Sequence, residues 1–216
     1  MNIKKIRKYL SKSPFLWLLR SFHIRYYNIS RRKFGHIGKN VILIPPIGLS
    51  EPKNIFLYDN VNIYANSSII TAGGKFIMKK NSGSASGLTV VTGNHNPSVG
   101  YFFKDLSSER IGDIEKDIVV EEDVWIGANV TILSGVNVGR GAIVGAGSVC
   151  RNKIPPYSIV IGNPAKVVGF KFSPDEVIEH EKILYPENER LNYDLLTKNY
   201  EKYYTSKIAQ IRTFIK

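Results

Sequence analysis

The chain has 216 residues, 43% of them hydrophobic and 22% charged. That suits one domain with or without terminal appendages, and excludes a disordered chain or a membrane bundle. The one cysteine, Cys150, excludes a disulfide framework and a multi-cysteine zinc site. The net charge of +12 is unevenly spread, because residues 1–39 hold eleven Lys and Arg and the first acidic residue is Glu51, leaving only +1 for the other 177 residues.

The basicity therefore belongs to an N-terminal arm, residues 1–40, expected to be partly helical. Its apolar run, Phe15–Leu19, is too short to span a bilayer and lacks the small residues that follow a secretory core. A cytoplasmic, soluble protein is expected, with the inner face of the membrane as a further place for it. Phe15, Trp17, Phe22, Tyr26 and Tyr27 among the cations suit peripheral contact with an anionic membrane through residues 1–39. A solvated helix packed by its aromatic side reads the same residues equally well. No nucleic-acid partner is expected, since the body carries no basic groove.

Residues 41–170 follow a six-residue period. It is loose at Leu57, Val61, Ile63, Ser67 and Ile69, shifts near Gly73-Gly74-Lys75, and resumes at Met78, Ser84 and Val90. From Val120 it is strict: Val120, Ile126, Ile132, Val138 and Val144 open successive hexads, and Val124, Val130, Val136, Ala142 and Ser148 occupy the fifth positions. Such a period is neither helical nor simple strand alternation, and it marks a parallel β-helix. Gly127, Gly139 and Gly145 stand at second positions, where positive φ or close approach of the next coil is expected.

Residues 96–119 interrupt the period with Tyr101, Phe102, Phe103 and five acidic residues. An excursion between two clean coils points to function. Beyond residue 170 the character changes: Ser173, Pro174 and Glu176 form a capping-box start for a helix to about Leu184. Pro186 interrupts, and a second helical stretch is expected over Leu191–Phe214. This extension, 171–216, is expected to cap the last coil.

The string Asp123-Val124-Trp125-Ile126-Gly127-Ala128-Asn129-Val130, then Gly145-Ala146-Gly147-Ser148, Ile154-Pro155-Pro156 and Gly162-Asn163-Pro164-Ala165-Lys166, resembles the hexapeptide-repeat acyltransferases, in particular the bacterial sugar and polysaccharide O-acetyltransferases. The resemblance covers roughly residues 55–170. It implies an all-β fold, a left-handed parallel β-helix, a homotrimer with active sites between subunits, and acetyl-CoA as co-substrate without a metal. The acceptor it implies is a hydroxyl of a sugar or of a capsule or lipopolysaccharide chain.

By the same resemblance His95, in Thr92-Gly93-Asn94-His95-Asn96, is the catalytic base, and the backbone N–H of Ala128 is the donor to the thioester oxygen. His95 lies thirty residues before Trp125, farther than in the sugar-acetylating relatives. Imidazole independently suits the task, because its neutral form exists near pH 7. Asp105, Glu109 and Asp113 are all candidates to orient it.

Trp125, Gly127, Ala128, Gly145, Ala146 and Pro164 are expected along the pantetheine arm, the last three alanine and proline positions forming a column eighteen residues apart. Arg151, Lys153 and Lys166 are the candidate phosphate partners, in place of the family's Thr-Lys pair. Asn94 and Tyr101 are the candidate acceptor contacts. Cys150 replaces an aliphatic residue and is expected in the core.

Two other readings share the fold. A γ-carbonic-anhydrase-like enzyme would need three histidines at one metal ion, whereas only His95 lies in the well-matched coils. A non-catalytic β-helix scaffold, held to membrane or polyanion by the arm, would need neither His95 nor Trp125.

Overall fold

The computed structural model describes residues 29–105 and 113–207, together with Pro14, Phe15, Leu16, Leu18, Leu19 and Phe22. Trp17, most of the basic arm, Glu109 and the chain beyond Lys207 lie outside the described residues.

Short strands succeed one another in threes. The first coil holds β1 (His36–Ile37), β2 (Ile42–Leu43) and β3 (Ile47–Leu49), and the second β4 (Ile55–Leu57), β5 (Asn62–Ile63) and β6 (Ser67–Ile70). The third holds β7 (Phe76–Met78), β8 (Gly83–Ser84) and β9 (Thr89–Val91). A ribbon of β10 (Gly93–Asn94) and β11 (Ile114–Glu115) then leaves the prism. The fourth coil is β12 (Ile118–Val120), β13 (Trp125–Ile126) and β14 (Thr131–Leu133), and the fifth β15 (Asn137–Val138), β16 (Ile143–Val144) and β17 (Val149–Cys150). The series ends in β18 (Ser158–Ile161) and β19 (Lys166–Phe170).

Every third strand pairs in parallel, giving a first face of β1-β4-β7-β12-β15 and a third face of β3-β6-β9-β14-β17. The second face runs β2-β5-β8-β13-β16-β18, with β19 added antiparallel at its edge. This is the left-handed parallel β-helix expected from the hexads.

The period explains the core. Val120, Ile126, Ile132, Val138 and Val144 are fully buried, and so are Val124, Val130, Val136, Ala142 and Ser148 at the fifth positions. Aliphatic carbon from three faces thus meets along one axis, where burial is the main stabilising term. Cys150 joins this core, opposite Ile132 in the third face.

Of the two roles open to the second-position glycines, positive φ falls at another hexad position. Left-handed backbone falls at the fourth positions, with φ of 56° at Asp123, 55° at Asn129, 79° at Gly135, 69° at Gly141 and 71° at Gly147. Asn, Asp and Gly tolerate that region best. The second-position glycines serve close approach instead: a Cβ on Gly127 would lie 2.6 Å from the backbone N of Ala146, and one on Gly139 2.5 Å from that of Pro156. In the looser early coils Asn40, Asn60 and Asn81 fill the left-handed column. Their side-chain amides form a ladder, Asn40 donating to Asn60 at 3.1 Å and Asn60 to Asn81 at 2.8 Å.

Coil length is not constant. Second-face partners are Ile42 and Asn62, then Gly83, Trp125, Ile143 and Ile159, so successive steps are 20, 21, 42, 18 and 16 residues. The step of 42 contains the excursion, and the step of 16 falls at Pro155-Pro156.

Helices α1 (Pro174–Leu184) and α2 (Tyr193–Tyr203) follow. Ser173 and Glu176 complete a reciprocal capping box at the start of α1. The second helix ends at Tyr203 and a short 3₁₀ turn over Thr205–Lys207 follows it, while the rest of the stretch expected to Phe214 lies outside the described residues. The helices pack on Tyr157 of the last coil, and Glu181 of α1 reaches Arg140 one coil back. Glu181, wholly buried, accepts from Tyr157 Oη at 3.0 Å and pairs with Arg140 at 3.2 Å, while Lys80 reaches Glu189 at 3.9 Å. Burial first, then the Glu181 charge, pushes the Tyr157 phenol far up. At the end of the prism, Ala165 and Val167 pack against the core.

Candidate active site

His95 owes its place to the ribbon. Gly93 pairs with Glu115 and Asn94 with Ile114 in antiparallel register. Continuing that register one pair outward sets His95 opposite Asp113, as cross-strand neighbours. The contact is made: Nδ1 of His95 lies 3.1 Å from the Asp113 carboxylate. The side chain of Asp113 is 9% exposed and that of His95 48%. Asp113 is the candidate carboxylate seen in contact with the ring, and Glu109 lies outside the described residues.

An Nδ1–H donated to Asp113 leaves the Nε2 lone pair facing outward, the state a general base requires. Phe103 meets the imidazole edge-on, with ring centroids 5.5 Å apart. The ribbon is anchored at its root by Ser134, whose Oγ donates to the carbonyl of Thr92 at 2.6 Å and accepts from the N–H of Lys116 at 3.2 Å. Tyr101 stands exposed farther out on the loop, and Asn94 is exposed beside His95.

The motif string builds a second locus. Gly127 donates to Val144, and Asn129 donates to Ser86, both across the coil. The N–H of Ala128 between them donates to no other group among the described residues, and that of Ala146, one coil on, is equally uncommitted. Two uncommitted amides thus lie on one edge, about 4.8 Å apart along the axis. Above them the column departs from its expected register. Val144 pairs with Val160, so Gly162 stands over Ala146, and Pro164 lies two residues beyond. The shortened last coil is the cause.

Trp125 is half-exposed on the second face, over Gly83, whose Cβ position lies 3.5 Å from the indole. Beside it is a cleft of about 290 Å³ lined by Asn62, Asp123 and Lys171 among others. Arg151, Lys153 and Lys166 come together around a smaller cleft of about 200 Å³ at the end of the prism. Lys207 lines the same cleft, a contribution the sequence gave no motif to find. Cys150 lies under it, and burial pushes its thiol up to about 11. A thiol so shielded is no nucleophile near neutrality.

The two loci are separate in one chain. His95 leaves from the edge between the third and first faces, whereas Ala128 lies on the edge between the second and third. The width of the third face, about 20 Å for six residues, divides them. Among the described residues no three His, Cys, Asp or Glu side chains gather as a metal site. Nor is any described helix long and apolar enough to cross a membrane.

The family model for the bacterial transferase hexapeptide (six repeats) matches residues 117–152, the strict hexads and the chain just before and after them. No curated protein sequence matches this chain. Among solved structures, a hexapeptide-repeat acetyltransferase of Vibrio cholerae, crystallised with acetyl coenzyme A, is similar at 27% identity and a TM-score of 0.60, over 74% of this chain and 91% of that one. A maltose O-acetyltransferase of Clostridium difficile is similar at 25% identity and a TM-score of 0.60, over 77% and 86%. A galactoside acetyltransferase in complex with coenzyme A shares the fold at 21% identity and a TM-score of 0.60, over 85% and 90%. The chain is therefore a hexapeptide-repeat β-helix protein. Within that class it is an enzyme of the acyltransferase kind.

Proposed function

We propose that this chain transfers acetyl from acetyl-CoA to a hydroxyl of a sugar or surface polysaccharide, working in the cytoplasm as a trimer with its sites between subunits. The observation that carries the reading is the pair of loci: an oriented His95–Asp113 dyad on one edge, and the uncommitted amide of Ala128 on the next.

The second locus fits the donor. Ala128, Ala146 and Gly162 present small side chains in a column, and a Cβ on Gly147 would meet nothing within 4 Å. That is open room for a narrow chain. Arg151, Lys153, Lys166 and Lys207 supply cations where phosphates would lie.

In this reading Nε2 of His95 takes the proton of the acceptor hydroxyl as that oxygen attacks the thioester carbonyl. Asp113 holds the proton on Nδ1 and stabilises the imidazolium. The N–H of Ala128 donates to the carbonyl oxygen as it gains charge. His95 then gives its proton to the departing thiol, so the C–S bond breaks as the C–O ester bond forms. Because one chain keeps its two loci on different edges, His95 of one subunit serves the Ala128 edge of the next.

The test is thiol release from acetyl-CoA across free sugars, nucleotide sugars and isolated polysaccharides. Release that needs a sugar hydroxyl is expected; none with any acceptor removes the reading and leaves a β-helix scaffold. The shared site is tested by co-refolding two inactive variants, His95→Ala and Ala146→Trp. Mixed trimers should regain part of the activity, and verified mixed trimers without recovery would place both loci in one chain.

A further inference from the structure

Phe15, Leu18 and Leu19 are helical and are 67%, 59% and 48% exposed. Spacings of three and four residues put the three on one helical face. Phe22, 52% exposed, lies on the same face. The prism, by contrast, buries its aliphatic rows completely, so this row is the arm's own and is left outside the core.

Its surroundings say what would cover it. The first fifty residues contain eleven Lys and Arg and no Asp or Glu. Three such arms packed against one another would bring together like charges with no acid to offset them. An anionic lipid surface complements both features at once, since acyl chains accept the apolar row and headgroups accept the cations.

We propose that the apolar row Phe15–Leu18–Leu19 is an interfacial anchor, laid into an anionic bilayer and holding the prism at a membrane surface. The anchor works in the plane of the interface. It does not depend on the acetyl-transfer reading.

The experiment uses the full chain and sedimentation with vesicles, either pure phosphatidylcholine or the same lipid with about a quarter phosphatidylserine. Binding is expected to the anionic vesicles only, and to fall as salt shortens the Debye length from about 10 Å at 0.1 M to about 3 Å at 1 M. The triple variant Phe15→Ser/Leu18→Ser/Leu19→Ser keeps every charge and should partition about tenfold more weakly or worse. Its oligomer size and circular dichroism should match the parent's, which separates lost anchoring from lost folding. Equal binding to neutral vesicles, or unchanged partition of the triple variant, overturns the proposal. So does a parent that ignores both vesicles while the triple variant shrinks in oligomer size, a result that assigns the row to a second copy of the chain.

Discussion

The two edges that border the third face are built in opposite ways. The edge through Ala128 and Ala146 is regular: glycines at second positions let one coil rest on the next, and every turn repeats its hydrogen bonds. The edge beyond β9 breaks the repeat, sends out a ribbon, and hangs His95 and Asp113 at its outer end. Regularity there gives a straight track of uncommitted amides, and interruption here gives a side chain with a fixed proton. The difference teaches that a repeat lines up backbone amides, whereas the His95–Asp113 pair comes from the insertion.

If the edges divide the labour in this way, substitutions on them should fail differently. On the interrupted edge, His95→Ala should lower turnover by about 10²–10⁴-fold while acetyl-CoA still binds and the melting temperature holds; near-parental rates would end the base assignment. Asp113→Ala removes a charge-assisted hydrogen bond, about 1.5–3 kcal/mol in general. With His95 half-exposed, the loss of turnover should lie toward the lower end, about tenfold. Near-parental turnover would reduce Asp113 to a structural contact.

On the regular edge the damage should be to stability. Gly127→Ala drives a Cβ into the backbone of Ala146, and an overpacked site of this kind costs about 1–3 kcal/mol, read as a lower denaturation midpoint. An unchanged midpoint would mean the coils are not in register there. The smallest effect belongs to the neighbouring face, where burial raises the Cys150 thiol from 9.0 to about 11. A folded pKa above the unfolded one adds stability that is complete below the unfolded value and is lost as pH rises through the folded one. Melting temperature should therefore sag between about pH 9 and 11 in the parent and less in Cys150→Val, and the native thiol should resist alkylation at neutral pH. Rapid native labelling would place Cys150 outside the core.

The hexads were legible because coil geometry fixes the chemistry of each position: Val120, Ile126 and Ile132 could be assigned inward from spacing alone. The edges of His95 and Ala128 followed from the same count. What the count could not reach were departures from it. Pro155-Pro156 shortens the last coil to a step of 16, so Gly162 takes the place the sequence gave to Pro164. Asp113 could not be chosen over Asp105 because a two-residue ribbon with a long loop leaves no hydrophobic period to read. Which of two tasks the second-position glycines perform could not be read, since glycine serves both close approach and positive φ and its letter does not say which. Lys207 reaches its cleft by way of the folded C-terminal helices, a distance in sequence that no local motif spans.

A stack of coils is also a template: each face ends in backbone groups ready to pair with one more strand, and nothing in a six-residue repeat says where to stop. In this chain β19 returns antiparallel on β18 and occupies the open rim of the second face. At the other end Arg31 donates to the carbonyl of Val41 at 2.7 Å, with Ile29 and Phe34 packed on the core. The rim of the second face is thereby taken out of use at one end, and one backbone carbonyl is occupied at the other. The repeat behaves as a crystal one dimension deep whose growth along the second face stops at β19.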